Sequence, residues 1–266
     1  MLEQRLHAIL DIIRAERFVT VVDLSQKLGV SEATIRHDLN TLAATGKIQR
    51  TRGGALALEA PGIEGTLPYV VASELMVEEK QAIARAASGL VRNGDTIVLD
   101  ASSTVHMLAC LLKTREDLRI TVITNGLNTI NELADAAHVQ LIAVAGSFDR
   151  ESASFLGPLA EDTLRGLRAL KAFISPKGIT AESGLTDWNP LAASVRRTMI
   201  SIASEVIVLA DHSKWSRPYP YPIASLSEVA QIISDAALSS DWQRHLREAR
   251  LQVATVSPVP QEGGMK

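Results

Sequence analysis

The chain has 266 residues, of which 46% are apolar and 21% are charged, and its formal net charge is −3. This length suits two domains, and the composition excludes a wholly disordered chain. No apolar run approaches the roughly 20 residues of a membrane-spanning helix. The single cysteine, Cys110, excludes an internal disulfide and a multi-cysteine metal cluster, and its apolar neighbours predict a small buried side chain. The charged N-terminus is unlike a signal peptide, so we expect a cytoplasmic protein without membrane contact.

Charge is unevenly distributed along the chain. Residues 1–56 carry eight Lys/Arg and six Asp/Glu, whereas the remainder carries 19 basic and 24 acidic residues. Lys47, Arg50 and Arg52 follow one another without an intervening acid. Because local fields rather than the total charge attract phosphates, the beginning of the chain is a candidate for nucleic-acid binding.

The first 57 residues have the element pattern of a winged helix-turn-helix domain. Apolar residues at three- and four-residue steps predict a first helix, and a short second helix is predicted over 22–28. Gly29 suits a tight turn with positive φ, and Ser31 suits the N-cap of a third helix over 32–44. Residues 47–56 predict a two-stranded hairpin, the wing.

From residue 77 onward, short apolar strands alternate with helices, which predicts a Rossmann-like α/β domain with a parallel sheet covered on both faces. The predicted strands are Thr96–Asp100, Ile120–Thr124, Val139–Ala145, Ala172–Ser175, Glu205–Ala210, Ala230–Ser234 and Leu251–Val256. The predicted helices between them are Ser103–Lys113, Leu127–Ala136, Pro158–Leu167 and Leu191–Ser204. The predicted organisation is a DNA-binding domain over 1–57, a linker over 58–75, an effector-binding domain over 76–257 and a flexible tail over 258–266.

The third predicted helix offers the residue types that bind a major groove. With its apolar residues turned inward, it presents small and polar side chains outward. Arg can donate two hydrogen bonds to guanine and Asn can pair with adenine, while a small residue permits close approach. The candidate DNA-binding residues of the helix and wing are Ser31, Ala33, Thr34, Arg36, His37, Asn40, Arg50 and Arg52. The alternative is an ordinary three-helix subdomain with a solvated face, and Asp38, at the buried edge, is expected to pair with an Arg.

Polar residues follow several predicted strands at the edge where ligands collect in open α/β sheets. Hydroxyls at 102–104 begin a helix and favour an anion, and polar turns follow again at 124–126 and 145–147. Lys177 projects either into the same crevice or into water. The loop 211–214 offers an Asp and a Lys that either contact a ligand or bridge each other. Together these turns predict a site for a small, polyhydroxylated anion.

The residues carry a resemblance to a known family. Residues 18–39 resemble the helix-turn-helix signature of the DeoR family of bacterial transcriptional regulators, and 53–55 resemble the family's Gly-Gly-Ala. The segments 99–104, 122–125 and 210–214 resemble its motifs Leu-Asp-x-Gly-Thr-Thr, Val-x-Thr-Asn and Ala-Asp-His-Ser-Lys. The resemblance spans nearly the whole chain. It implies a C-terminal domain that is similar in fold to sugar-phosphate isomerases and CoA-transferases and that senses a phosphorylated sugar or related metabolite.

The same resemblance implies an effector site. Its residues are Asp100, Ser102, Ser103, Thr104, Thr124, Asn125, Gly126, Gly146, Lys177, Asp211 and Lys214. Four positions depart from the family pattern: His37 replaces an Arg, Ser102 and Ala145 each replace a Gly, and Lys171 replaces an Asp. These departures leave the identity of the ligand open.

The sequence therefore predicts a repressor of a carbohydrate uptake or catabolism operon. It would bind double-stranded operator DNA as a homo-oligomer, a dimer or tetramer, and respond to a phosphorylated sugar. No catalytic residue, cofactor or metal ion is predicted. The alternative is a sugar-phosphate isomerase-like enzyme with an attached DNA-binding module, in which Asp100, Asp211 and Lys214 would supply acid–base groups. Loops rich in Ser, Thr and Asn favour binding, and the acidic second half disfavours a DNA-packaging protein.

Overall fold

A computed structural model describes residues 2–16, 18–45, 48–51, 53–57, 68–235, 238–248 and 251–257. The chain divides into two compact units, residues 1–75 and 76–266. The predicted tail, 258–266, and most of the predicted linker, 58–67, lie outside the described residues. Among the helices that are described, none is long and apolar enough to cross a membrane.

The first unit is a helix-turn-helix with a small antiparallel sheet. Its elements are α1 (Leu2–Glu16), β1 (Phe18–Thr20), α2 (Val21–Leu28), α3 (Glu32–Ala44), β2 (Ile48–Arg50), β3 (Gly54–Ala57) and α4 (Tyr69–Glu74). The wing differs from the predicted two-stranded hairpin, because β1 adds a third strand and the order is β1-β3-β2. The strand β1 consists of the three residues that interrupt the helical periodicity of the sequence. It pairs with β3, with Phe18 opposite Leu56.

Local sequence accounts for the tight turn between α2 and α3. Thr20 caps α2 by accepting a 3.0 Å hydrogen bond from the backbone N–H of Asp23. Gly29 ends α2 with a φ of 65°, as its position in the sequence predicts. Ser31 caps α3 by accepting from the backbone N–H of Thr34 at 3.2 Å. The largest fully buried side chains of this unit are Ile9, Ile13, Leu24, Ile35 and Leu39.

Gly54 marks the closest approach of β1 and β3. A Cβ added at this position would lie 2.1 Å from the carbonyl oxygen of Val19, so no other residue fits without moving a strand. Around a Cβ added at the neighbouring Gly53 there is open space. A larger residue therefore fits at Gly53 but not at Gly54.

The predicted linker ends in a helix that its turn-forming composition did not indicate. Pro68 is the N-cap of α4. A proline is tolerated there because the helix makes no hydrogen bond to the N–H of that residue. Val71 anchors this short helix as a buried side chain. A proline that reads as a loop residue in the sequence thus begins a helix.

The second unit is built on a seven-stranded sheet in which neighbouring strands run parallel. In sheet order the strands are β15 (Gln252–Thr255), β14 (Gln231–Ser234), β12 (Ala203–Leu209), β9 (Ala169–Ile174), β4 (Thr96–Leu99), β5 (Ile120–Thr124) and β6 (Val139–Ala143). These are the seven predicted strands, with ends displaced by up to three residues.

Helices cover both faces of this sheet. They are α5 (Val77–Ser88), α6 (Ser103–Lys113), α7 (Leu127–Leu133), α8 (Pro158–Arg165), α9 (Pro190–Ser201) and α10 (Ser240–Glu248). Ile97 and Leu99 belong to the core with α5 and α6, whereas Val98 belongs to the core with α8 and α9. Since successive strand residues point to opposite faces, this alternation places a core on each side. The predicted fold class is confirmed.

Two small antiparallel sheets complete the second unit and were not predicted. β7 (Ser147–Asp149) pairs with β8 (Ser154–Leu156), and the other sheet has the order β10 (Gly178–Thr180), β11 (Gly184–Asp187), β13 (Tyr221–Ala224). Strands of three or four residues are too short to show a period of two in the sequence.

Candidate functional site

Helix α3 presents the outward face that its wheel predicts. Ile35, Leu39 and Leu42 are buried in the core of the first unit. The exposed candidates of the helix and its cap are Ser31, Ala33, Arg36, His37 and Asn40. Thr34 is half-buried, and its hydroxyl lies 2.9 Å from that of Ser31. These side chains lie together along one side of the helix, where a groove of DNA can reach them.

Arg36 is exposed and only loosely held. Its Nη2 donates to Oε2 of Glu32, one turn earlier, at 2.6 Å. The side chains of both residues are solvent-exposed, 56% for Arg36 and 44% for Glu32. An exposed pair of this kind contributes little to stability, so the guanidinium can exchange the carboxylate for a base or phosphate acceptor.

Arg50 joins the wing to the helix. Its Nε donates to Oδ1 of Asn40 at 3.1 Å, and its Nη1 donates to the carbonyl oxygen of Gly54 at 2.7 Å. Partial burial and the charge of Arg36 lower the pKa of Arg50. Arg52 lies outside the described residues, so its predicted contact stays a prediction.

Asp38 pairs with an arginine, as predicted. It is fully buried and accepts from Arg5 Nε at 2.5 Å and from Arg5 Nη2 at 3.1 Å. This two-point contact ties α3 to α1. Asp38 therefore orients the outward face of α3 without belonging to it.

In the second unit, the turns that follow β4 and β5 lie against each other. A Cβ added to Gly126 would lie 3.0 Å from Cα of Ala101, an approach that favours glycine. Thr124 is buried and accepts from the backbone N–H of Gly126 at 3.1 Å. Asn125 donates through Nδ2 to the carbonyl oxygen of Phe155 at 3.0 Å. Its Oδ1 is buried and accepts no hydrogen bond from the described residues.

Asp100 holds three segments of the second unit together. Its Oδ1 accepts from the backbone N–H of Ser102 at 3.0 Å and from the Ser102 hydroxyl at 2.5 Å. Its Oδ2 accepts from the backbone N–H of Ser175 at 3.0 Å and from Arg196 Nε at 2.7 Å. Arg196 also donates to the buried carboxylate of Asp187. With four donors on its carboxylate, Asp100 positions the turns rather than offering a free acceptor.

The other predicted effector-site residues in the turns after β4, β5 and β6 have capping or packing roles. The Ser102 hydroxyl, which replaces a family glycine, caps α6 by accepting from the backbone N–H of Val105 at 3.2 Å. Ser103 and Thr104 are buried in the first turn of α6. A Cβ on Gly146 would lie 2.8 Å from the carbonyl oxygen of Leu156. Gly146 therefore packs against β8, which accounts for the glycine without a ligand.

The loop after β12 carries a buried carboxylate with one open oxygen. Asp211 is 1% exposed, and its Oδ1 accepts from the backbone N–H and hydroxyl of Ser213. Its Oδ2 accepts no hydrogen bond from the described residues and lies 4.0 Å from Nζ of Lys214. Burial alone would raise the pKa of Asp211, but the charges of Lys214 and Lys80 and the hydrogen bonds from Ser213 lower it.

Two further lysines complete a group that we call the lysine cluster, Lys80, Lys177 and Lys214. Lys80, on α5, is 3% exposed, and its pKa is lowered to about 8, first by burial and then by the charges of Lys214 and Lys177, with Asp211 opposing. Burial and the charge of Lys214 lower the pKa of Lys177 to about 8 as well. The positive charges of the three lysines disfavour one another, and those of Lys80 and Lys214 also act on Asp211, so an added anion would stabilise the charged form of the cluster.

Two ion pairs lie beside these turns. His212 donates its backbone N–H to Asp235 Oδ1 at 2.7 Å and places Nδ1 at 2.7 Å from Asp235 Oδ2, which raises the pKa of His212. Lys171, the departure near the start of β9, forms a buried pair with Asp95 at 2.7 Å. Asp95 directly precedes β4 and Lys171 lies in the first half of β9, so this departure does not touch the turns at the carboxyl ends.

Sequence reasoning missed Lys80, Asp187 and Arg196. Lys80 lies on the same buried face of α5 as Ile83, Ala84 and Ala87. A lysine within an apolar helical stripe was therefore the signal in the sequence that could have identified it. Arg196 is similarly buried within α9. Nothing in the sequence reveals which carboxylates pair with it, because Asp100 is 96 residues away.

Each of the two units matches the model of a known protein family. Residues 5–60 match the model of the DeoR-like helix-turn-helix domain, and residues 75–236 match that of the DeoR C-terminal sensor domain. The chain belongs to the DeoR family of transcriptional regulators. The helix-turn-helix of this DeoR-family chain implies binding to DNA, and its sensor domain implies a small-molecule effector.

Relatives of this DeoR-family chain match over nearly its whole length. The uncharacterized HTH-type transcriptional regulator YulB of Bacillus subtilis is 33% identical over 263 residues, 99% of this chain and 100% of YulB. The lactose phosphotransferase system repressor of Lactococcus lactis is 30% identical over 247 residues, 92% of this chain and 94% of the repressor.

Among solved structures, ribose 5-phosphate isomerase A from Methanocaldococcus jannaschii aligns with 52% of this chain and 54% of the isomerase. The TM-score is 0.40 and the sequence identity is 19%. A likeness at this level says nothing about a reaction.

Proposed function

We propose that this DeoR-family chain is a repressor of a carbohydrate uptake or catabolism operon, and that a phosphorylated sugar bound in its second unit releases it from DNA. The observation that carries the proposal is the lysine cluster beside the buried carboxylate of Asp211, where Nζ of Lys214 lies 4.0 Å from the open oxygen Oδ2. The name of the lactose phosphotransferase system repressor supports the assignment to carbohydrate metabolism. Because operator DNA is the target, the proposal places the protein in the cytoplasm.

The sheet order supports one orientation of the ligand. β9 and β12 are neighbours, so the turns with Lys177 and Asp211 are adjacent, whereas β5 lies three strand spacings from β12, roughly 14 Å away. Lysines bind a phosphate dianion as point charges. The Ser102 hydroxyl, in contrast, is already used by Asp100 and by the α6 cap. We therefore place the phosphate at the lysine cluster and the sugar hydroxyls toward Asn125.

A buried acceptor fits the hydroxyl part of such a ligand. Oδ1 of Asn125 is buried and accepts no hydrogen bond from the described residues. A buried acceptor without a donor costs free energy, and a sugar hydroxyl can supply the missing hydrogen bond. The site thus favours a ligand that carries both negative charge and hydroxyl donors.

The DNA contact is proposed for the outward face of α3 and the wing. Arg36 and Asn40 supply the side chains that read guanine and adenine, and Arg50 supplies a charge beside them. One recognition helix covers only a few base pairs, so the proposal includes a homo-oligomer on a palindromic or repeated operator. The effector acts by binding more tightly to the state with lower operator affinity.

Catalysis has less support than sensing. An isomerase needs a carboxylate that can accept a proton from the substrate carbon. Asp100 is occupied by four donors, and the lowered pKa of Asp211 makes it a weaker base. Both carboxylates fit positioning and binding better than proton transfer, so we propose that the chain is not an enzyme.

A thermal-shift panel tests the sensor half of the proposal. The full chain is heated with hexose and pentose phosphates and with the same sugars unphosphorylated. We expect at least one phosphorylated sugar to raise Tm in a concentration-dependent way, and its unphosphorylated partner to fail. Lys214→Met should abolish the shift and Lys113→Met, a change on the surface of α6, should retain it. A panel without any shift would contradict the proposed ligand class.

A reporter experiment tests the sign of regulation. Deleting the gene should raise transcription of the carbohydrate uptake or catabolism operon that the protein is proposed to repress. A fall in transcription after deletion would identify an activator and overturn the assignment as a repressor.

A further inference from the structure

Three side chains that are typical metal ligands meet where α6 packs against α7, outside the candidate effector site. His106 and Cys110 are four residues apart on α6, and Nε2 of His106 lies 3.6 Å from Sγ of Cys110. Glu132, on α7, brings a carboxylate oxygen, and the ligand atoms all lie within 4.8 Å of one another. Each of the three residues is half-buried, so an ion can reach them from solvent.

The spacing of the first two atoms fits one tetrahedral ion. Zn–S bonds of about 2.3 Å and Zn–N bonds of about 2.0 Å at a tetrahedral angle place the sulfur and nitrogen roughly 3.5 Å apart. The observed 3.6 Å needs almost no adjustment. Glu132 closes the remaining distance by rotating its flexible side chain, because α7 already holds its backbone beside α6.

We propose that His106, Cys110 and Glu132 bind one Zn²⁺ ion between α6 and α7, with water in the fourth position. A thiolate and an imidazole exclude Mg²⁺ and Ca²⁺, which take oxygen ligands, and favour Zn²⁺ among common divalent ions. Cys110 and Glu132 are 22 residues apart and lie on different helices, so no local spacing in the sequence indicates this site.

The surroundings of Glu132 allow it to become a ligand. Lys113 Nζ lies 3.4 Å from Glu132 Oε1 but only 2.8 Å from Asp135 Oδ1. When Glu132 turns to the ion, Lys113 keeps its shorter pair with Asp135 and loses little. The thiol of Cys110 gives its proton to solvent as the Zn–S bond forms, which leaves two neutralising ligand charges on the ion.

A bound ion would clamp the two helices that begin at the candidate effector site. α6 starts at the Ser102 cap and α7 starts at Gly126. Fixing α6 to α7 would stabilise the native state by RT ln(1 + [Zn²⁺]/Kd), so the stabilisation grows with the logarithm of the free Zn²⁺ concentration once that exceeds the dissociation constant. This consequence does not depend on which effector binds.

Titration with Co²⁺, a spectroscopic substitute for Zn²⁺, tests the site on the full chain, freed of metal with a chelator and carrying no histidine tag. We expect one equivalent of Co²⁺ to produce a thiolate-to-cobalt charge-transfer band in the near ultraviolet, and Zn²⁺ to remove it. Cys110→Ser should lose the band. His106→Gln and Glu132→Gln should weaken binding by about 10–100-fold or more, since loss of outer-shell partners alone has that effect.

A matched control distinguishes this site from other ligand groups. Glu79, His212 and Asp235 form a second His-carboxylate group, and His212→Gln should leave the titration unchanged. Far-UV circular dichroism of each metal-free variant establishes that it is folded. A wild-type chain without the band, or a band that survives in folded Cys110→Ser or disappears in His212→Gln, would overturn the proposal.

Discussion

Nε of Arg50 donates a 3.1 Å hydrogen bond to Oδ1 of Asn40, which joins the wing of the first unit to the outward face of α3. The bond orients the amide, so that the NH₂ group of Asn40 is turned away from Arg50. A bidentate contact from Asn40 to adenine needs both amide atoms. Because Oδ1 can accept two hydrogen bonds, Arg50 can hold the amide in place while Asn40 contacts adenine through both amide atoms.

Arg36→Ala should weaken specific operator binding by about 1–3 kcal/mol, because it removes a guanidinium from the face of α3. Binding of the effector in the second unit should not change. Fluorescence anisotropy with a duplex selected from a random pool measures the first quantity, and the thermal shift measures the second. Arg115→Ala, which changes an exposed arginine of the second unit, is the matched control. Equal losses in both variants would show that Arg36 has no specific role.

Gly54→Ala should lower the free energy of unfolding by about 1–3 kcal/mol, since the new Cβ overlaps the carbonyl oxygen of Val19. Gly53→Ala meets open space and should change it by no more than about 0.5 kcal/mol. Chemical denaturation monitored by circular dichroism compares the two. If both variants are equally stable, the close approach of β1 and β3 is not a constraint.

Binding of a phosphorylated sugar should weaken as the pH rises above 8. Lys80 and Lys177 have pKa values lowered to about 8, so both are mostly protonated at pH 7 and neutral well above pH 8. A phosphate monoester has a second pKa near 6, so its own charge is constant over this range. Affinity should fall about tenfold or more between pH 7 and pH 9.5. Isothermal titration in buffers of different ionisation enthalpy should also show proton uptake on binding near pH 8, and its absence would contradict the phosphate position.

Asp235→Asn should lower the pKa of His212 toward its ordinary value of 6.5, because the carboxylate is the main cause of the raised value. NMR titration of the imidazole protons measures both values. In the wild type, the pair stabilises the native state fully below pH 6.5, and this contribution is lost as the pH rises through the raised pKa. A pKa of His212 that does not respond to the substitution would contradict the pairing.

The repeating parts of the fold were predictable from the sequence. Each of the seven strands of the parallel sheet is at least half apolar, and the short hydrophobic runs within them indicate buried strands. The cap Ser31, the turn at Gly29 and the inward stripe of α3 were predictable because each is a local preference. The strand β1 was missed because three residues show no period, and its partner β3 is more than 30 residues away.

The candidate site was predictable in its position but not in its connections. Parallel strands bring their carboxyl ends to one edge, so the turns with Asn125, Lys177 and Asp211 could be grouped without a structure. Which of their atoms are occupied could not, because the four donors to Asp100 come from three separate segments. Lys80 was not predicted, because it lies on the helix before the first predicted strand and not in a turn that follows a strand.

Operator binding by wild type, Lys214→Ala and Arg36→Ala, each with and without the sugar phosphate that raises Tm, is the measurement that tests the account most directly. Anisotropy should show that the sugar phosphate releases the wild type from the selected duplex. Lys214→Ala should bind the duplex with wild-type affinity and resist release, whereas Arg36→Ala should bind weakly while still responding. Release of Lys214→Ala at the wild-type ligand concentration would contradict the assignment of sensing to the lysine cluster.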